Sequence, residues 1–121
     1  MTEEHHDELG ENLDSLASLV DSVPVKGSLE LDYLDGHYAV CFQPCRRVGY
    51  AFRLSHLPPG NYGVSVDSGL PAAQRRVVLF HEMAELFFYY TKGVRPQERA
   101  HALAVEQHLK YAAQRKITPP E

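Results

Sequence analysis

The spacing of apolar and polar residues predicts β-strands in the first half of the chain. Residues 29–33 alternate apolar and acidic side chains, an Asp-Gly pair follows at 35–36, and residues 38–42 are apolar again. Strand-like runs on both sides of a dipeptide that tolerates positive φ predict a β-hairpin. Residues 48–54 and 62–66 predict two further strands, separated by a break rich in proline and glycine. We therefore expect a small, mainly antiparallel sheet.

The apolar spacing changes to a helical period on either side of this sheet. Leucine and valine recur at helical spacing over residues 13–20, which predicts a short helix that ends before Pro24. After the sheet, the pattern predicts a helix over residues 71–90 and another that begins near Pro96 and ends before Pro119. The loop between these two helices is short, so they should form an antiparallel hairpin. The expected fold class is α+β, with the sheet packed on the first long helix.

Composition and charge exclude several classes of partner. The chain of 121 residues has a formal net charge of −4 and no basic stripe, so we expect no direct contact with nucleic acid. We expect no membrane association, because charged residues interrupt the longest apolar stretch, residues 77–90, and the N-terminus is acidic where a secretory signal would be basic. Cys41 and Cys45 are too few for a disulfide framework and are interpreted as structural thiols. These features favour a cytoplasmic protein.

Two segments of different composition are expected. Residues 1–12 are rich in acids and lack lysine and arginine, which predicts an acidic flexible tail. Its histidines, His5 and His6, are interpreted as solvated polar residues. Residues 13–121 are long enough to bury a core of their own and are predicted to form a single domain. No feature of the sequence indicates an oligomeric state.

Three ionisable residues stand in the apolar helix predicted over residues 71–90. His81 and Glu85 are four positions apart and project from one helix face, a spacing at which two side chains can share a metal ion. Glu82 follows the histidine, as the general base does in the H-E-x-x-H motif of zinc peptidases. Burial of such groups is costly unless something pairs or coordinates them. The simpler interpretation is a solvated stripe, or a core histidine bonded to Glu85.

A third ligand should come from the last helix. If the two helices reverse near Gly93, positions around 103 lie level with His81 and Glu85, which makes Glu98, His101 and Glu106 the candidates. His101 is favoured, since two histidines and a carboxylate form a common donor set for catalytic zinc. Glu98 in its place would give a harder site that discriminates less against manganese or iron.

Other residues on the two long helices have more than one interpretation. The spacing of Glu98 and His101 also occurs in di-iron bundles, but those sites draw on four long helices. His108 is interpreted as peripheral, with support of a metal ligand as the alternative. Tyr89 and Tyr90 are interpreted as packing residues, with oxyanion stabilisation as the alternative.

Three segments together resemble a known family. Residues 63–67, 75–85 and 98–106 provide a strand, an arginine pair, an H-E helix and an alanine-rich helix, and this order resembles the ImmA/IrrE metallopeptidases, which are zincins. The resemblance implies a zincin-like fold and zinc-dependent hydrolysis of a protein or peptide, with a helix-turn-helix repressor as the usual substrate. It implies that His81 is a metal ligand, Glu82 the general base and Glu98 a candidate acidic ligand. It also implies that the strand at 62–66 binds an extended substrate.

Two positions depart from the family's pattern. Glu85 stands where the family has its second histidine, and His101 stands about where it often has asparagine. The two changes compensate if His81, Glu85 and His101 hold the metal together. The alternative is a catalytically inactive zincin-like module that binds another protein.

Overall fold

A computed structural model describes residues 12–120, so residues 1–11 of the predicted tail lie outside the described part of the chain. The helices and strands follow one another in this order: α1 (Asp14–Ser22), β1 (Ser28–Tyr33), β2 (Gly36–Gln43), β3 (Gly49–Arg53), β4 (Asn61–Asp67), α2 (Ala72–Leu86), a π-helical turn (Phe87–Thr91) and α3 (Gln97–Arg115). The α+β class is confirmed. None of the helices in residues 12–120 is long and apolar enough to cross a membrane.

The strands form one mixed sheet in the order β1-β2-β4-β3. The outer pairings, β1 with β2 and β3 with β4, are antiparallel as expected, but the central pairing of β2 with β4 is parallel. Residues 62–66 of β4 are buried on both faces, whereas β3 exposes Tyr50 and Phe52. The interior position of β4 accounts for its burial on both faces, and β3, with its exposed aromatic residues, lies at the edge of the sheet.

This strand order corrects the expectation that the strand at 62–66 binds an extended substrate. β4 has hydrogen-bonded neighbours on both sides, so its backbone groups are already paired. Within the described residues, the outer strands are β1 and β3. Only an outer strand offers backbone groups to an added peptide.

The β1–β2 hairpin turns one residue earlier than the Asp-Gly pair predicts. Tyr33 is paired with Gly36, so the two turn residues are Leu34 and Asp35, and Leu34 has a φ of 51°. Gly36 belongs to β2, where a Cβ atom would lie 2.8 Å from the ring of Tyr38. Close packing of the Tyr38 ring, rather than turn geometry, therefore requires glycine at position 36.

The helix predicted over residues 71–90 changes its winding near its end. The α-helix ends at Leu86, and the chain continues as the π-helical turn, in which the Lys92 backbone N–H donates to the Phe87 carbonyl. The wider turn buries both Phe87 and Phe88, and it leaves Tyr90 partly exposed against the Tyr62 ring. The other two predicted helices are confirmed as α1 and α3.

Helix α2 packs on β3 and β4 of the sheet, and α1 and α3 pack against α2. Arg76 donates hydrogen bonds to the carbonyls of Val20 and Val23, which satisfies acceptors at the end of α1. The buried side chains of the sheet include Tyr38, Val40, Val64 and Val66. Because α2 lies between the sheet and α3, polar residues of α2 that face α3 are largely removed from solvent.

Candidate metal centre

The middle of α2 is the most buried stretch of helix in the described chain. Every residue from 77 to 84 is buried, including His81 and Glu82, each of which is 9% exposed. The sheet, α1 and α3 surround this helix, which explains its apolar sequence. Burial of two polar residues in such a stretch costs free energy unless their polar atoms are hydrogen-bonded, paired with an opposite charge or bound to a metal.

His81, Glu85 and His101 come together between α2 and α3. Glu85 Oε1 lies 3.2 Å from His81 Nε2 and 2.9 Å from His101 Nδ1. One ligand atom from each of the three side chains lies within 4.8 Å of the others. The side chains of His81 and Glu85 are 11% and 17% exposed, while that of His101 is 56% exposed, so the group opens to solvent on the α3 side. Two imidazole nitrogens and one carboxylate oxygen suit a divalent ion such as zinc.

The other candidate ligands lie outside this group. Glu98 is exposed at the start of α3, where it lines a shallow depression together with Glu85 and His101. Glu106 is also exposed. Of the alternatives for the third ligand, the geometry brings His101 to the other two side chains.

Glu82 lines the same cleft as the three clustered residues. The cleft has a volume of about 360 Å³ and lies between α2, α3 and the β3 edge. A Cβ atom placed on Gly49 would lie 2.5 Å from Val78 Cγ1 and 3.5 Å from Glu82 Oε2. The absence of a side chain at position 49 therefore lets β3 approach α2 beside the Glu82 carboxylate.

The carboxyl groups of Glu82 and Glu85 have opposite shifts in pKa. Burial raises the pKa of Glu82 to about 7, although the neighbouring His81 opposes part of this effect. For Glu85, burial favours the neutral acid, but hydrogen bonds and charges from His81 and His101 outweigh it and lower the pKa to about 2. Glu85 is thus an anionic ligand candidate, and Glu82 can hold or release a proton near neutrality.

His108 contacts one of the candidate metal ligands, whereas the sequence predicted a peripheral residue. Its Nδ1 lies 2.9 Å from Nδ1 of His81, and it lines the cleft. Burial, followed by the charges of His81 and His101, lowers the pKa of His108 to about 4. The signal in the sequence is the separation of seven residues from His101, which places both side chains on one face of α3 two turns apart.

The outer strand β3 presents backbone groups to the cleft. The Val48 carbonyl accepts from the Asp67 N–H, and the Leu54 N–H donates to the Asn61 carbonyl. Alternate residues of an antiparallel strand bond to the same neighbour, so the residues between them, at 49, 51 and 53, direct their backbone groups away from β4. Gly49 and Ala51 both line the cleft.

The remaining candidates take less direct positions. Tyr89 and Tyr90 line a smaller pocket of about 140 Å³ that also contains Glu82 and Glu85. The guanidinium of Arg95 lies 3.7 Å from the centre of the Tyr89 ring, which is a cation–π contact and agrees with a packing role. Cys41 and Cys45 are free thiols and are not part of the metal-ligating group.

Comparison of the chain with protein-family models, with curated proteins and with solved structures finds no match.

Proposed function

We propose that the chain binds one divalent metal ion, with zinc the best suited, and that it hydrolyses peptide bonds. The observation that carries this proposal is the juxtaposition of His81, Glu85 and His101 with Glu82 in one cleft beside the β3 edge. The resemblance to the ImmA/IrrE metallopeptidases supports the same reaction and a zincin-like classification of the fold. A cytoplasmic location and a repressor substrate are further parts of this proposal.

The proposed roles follow from the donor atoms and their surroundings. The imidazole nitrogens of His81 and His101 and a carboxylate oxygen of Glu85 would hold the ion. A divalent ion bound there would polarise the scissile carbonyl and lower the pKa of a water molecule. Glu82, whose carboxyl group lines the cleft, accepts a proton from water and passes it to the leaving amine.

The substrate would lie along β3. The backbone of the substrate would pair with the backbone groups of Gly49 and Ala51 that point away from β4. This pairing would extend the sheet by one strand and bring a peptide bond of the substrate to the metal centre. We assign this role to β3 because the strand at 62–66 is interior, whereas β3 is an outer strand whose residues line the cleft. The stacked rings of Tyr50 and Phe52, whose centroids are 5.9 Å apart, form an exposed apolar surface on the same strand.

The test compares the parent protein with Glu82→Gln. We expect the variant to retain zinc and to cleave a fluorogenic peptide library about 10²–10⁴-fold more slowly, which is the usual contribution of a general base. Glu106→Gln, which changes an exposed carboxylate on α3, should cleave like the parent. Full activity in Glu82→Gln would contradict the assigned base. A parent that binds zinc but cleaves no peptide or protein would overturn the peptidase and favour the interaction module.

A further inference from the structure

The two ring nitrogens of His81 face different partners. Nε2 points to Glu85 Oε1 on the side where the metal ligands cluster, and Nδ1 lies 2.9 Å from His108 Nδ1. The ring of His81 lies between those of His101 and His108, with a centroid distance of 4.9 Å to each. Helix α3 therefore places His101 on the side of His81 where the metal ligands cluster, and His108 next to the Nδ1 atom of His81.

Metal coordination fixes which nitrogen of His81 carries a proton. A neutral imidazole has one N–H and one lone pair, so coordination through Nε2 leaves the proton on Nδ1. That N–H then needs an acceptor, and His108 Nδ1 is within hydrogen-bond distance of it. Without metal, Nε2 of His81 can instead donate to Glu85, and Nδ1 of a neutral His81 then accepts from His108. A histidine at position 108 can serve in both states because its Nδ1 can accept or donate.

We propose that His108 is a positioning residue that orients the His81 ring and holds its proton on Nδ1 when Nε2 binds the metal. The inference rests on the proposed metal site. Metal-bound histidines commonly donate their other N–H to a carboxylate, a carbonyl or water, and loss of that partner typically weakens metal binding 10–100-fold. Here, an imidazole of α3 takes the place of that partner.

Two substitutions separate the hydrogen bond from the bulk of the side chain. His108→Leu replaces the imidazole with an apolar side chain of moderate size and so removes the hydrogen-bond acceptor. His108→Asn keeps an oxygen close to the position that Nδ1 occupies, so it can still accept from His81. His56→Leu is the control, because it removes an exposed histidine remote from the cleft.

The first measurement is zinc affinity, determined by competition with a chromophoric chelator. We expect His108→Leu to bind zinc about 10–100-fold more weakly than the parent and His108→Asn to recover most of the loss. His56→Leu should bind like the parent. Parental affinity in His108→Leu would overturn the role of His108 alone, whereas failure of the parent to bind zinc would overturn the metal site as well. Equal losses in both His108 variants would show a packing effect and overturn the positioning role.

The second measurement determines which ring nitrogen of His81 and of His108 carries the proton. Long-range ¹H–¹⁵N spectra of the zinc-loaded parent should show His81 protonated at Nδ1 and His108 accepting at its own Nδ1. In His108→Asn, the His81 pattern should persist. A His81 ring coordinated through Nδ1 would contradict the proposal, because that nitrogen would then have no proton to donate to His108.

Discussion

Glu82 and Glu85 occupy one turn of α2, but their carboxyl groups have opposite surroundings. Glu85 accepts from His81 and His101, and these partners keep it ionised. Glu82 is equally part of the cleft, but burial is the dominant influence on it and disfavours its charge. A buried carboxyl group of this kind is useful for proton transfer and costly for stability.

Glu82→Gln should therefore stabilise the metal-free protein above neutral pH. The folded state keeps the Glu82 proton up to a pKa of about 7, while the unfolded chain releases it near 4.5, so stability falls as pH rises from 4.5 to 7 and then levels off. The shift corresponds to about 3 kcal/mol. Glutamine does not ionise, so the variant avoids this loss. Urea unfolding with a chelator present should show the gain at pH 8 and little difference at pH 4.

The matched control is Glu106→Gln, which changes an exposed carboxylate on α3. It should not show a gain that develops between pH 4.5 and 7. If Glu82→Gln were no more stable relative to the parent at pH 8 than at pH 4, the described burial of Glu82 would be wrong.

At the scale of elements, the position of β3 against α2 determines the shape of the cleft. Gly49 permits this approach, since a Cβ atom there would meet both the Val78 side chain and, at 2.9 Å, the Ser65 carbonyl. Backbone atoms cannot rotate away as a flexible side chain can. The separation between the strand edge and the Glu82 carboxylate thus depends on this one residue.

Gly49→Ala should lower the free energy of unfolding by about 1–3 kcal/mol, the usual cost of extra volume in a packed core. Gly69→Ala is the matched control, because its Cβ would meet only Asp67 at ordinary contact distances of 3.4 Å and more. Chemical denaturation of both variants provides the comparison. Equal stability of Gly49→Ala and the parent would mean that β3 does not pack against α2 as described.

The elements that the sequence predicted correctly are those determined by neighbouring residues. Alternation over residues 29–33 predicted β1, and helical spacing predicted α1 and α3. The insertion of β4 between β2 and β3 was not predicted, because strand order depends on contacts between residues distant in sequence. The hairpin turn lies at Leu34 and Asp35, one residue earlier than predicted, and the turn motif also does not describe the close contact of Gly36 with the Tyr38 ring.

The same distinction applies to the candidate site. The spacing of four between His81 and Glu85 was sufficient to place them on one face, and the reversal of the helical hairpin brought His101 to their level. The contact of His108 with His81 was not assigned, because it depends on how α3 is rotated and how far it is shifted along α2. Long-range packing of the two helices sets both quantities.

At the scale of the whole molecule, the proposed centre joins the two long helices, and contacts elsewhere fix their relative position. The ring of Phe80 on α2 stacks on that of Tyr111 on α3, with centroids 4.7 Å apart. Tyr111 and Arg115 both donate to Asp21 of α1. These contacts lie outside the cleft. We therefore expect the protein to fold without metal, and an ion bound between α2 and α3 should stabilise the folded state by mass action.

The central claim is that His81, Glu85 and His101 hold one metal ion, and the most direct test is the metal content of untagged protein. The parent and the variants His81→Ala, His101→Ala and Glu98→Gln would be incubated with zinc, desalted and measured by plasma mass spectrometry. We expect about one zinc per chain in the parent and in Glu98→Gln, and loss of zinc in the two histidine variants. No metal in the parent, even after incubation with zinc, manganese or iron, would contradict the claim. Loss of zinc from Glu98→Gln together with its retention in His101→Ala would contradict the assigned third ligand.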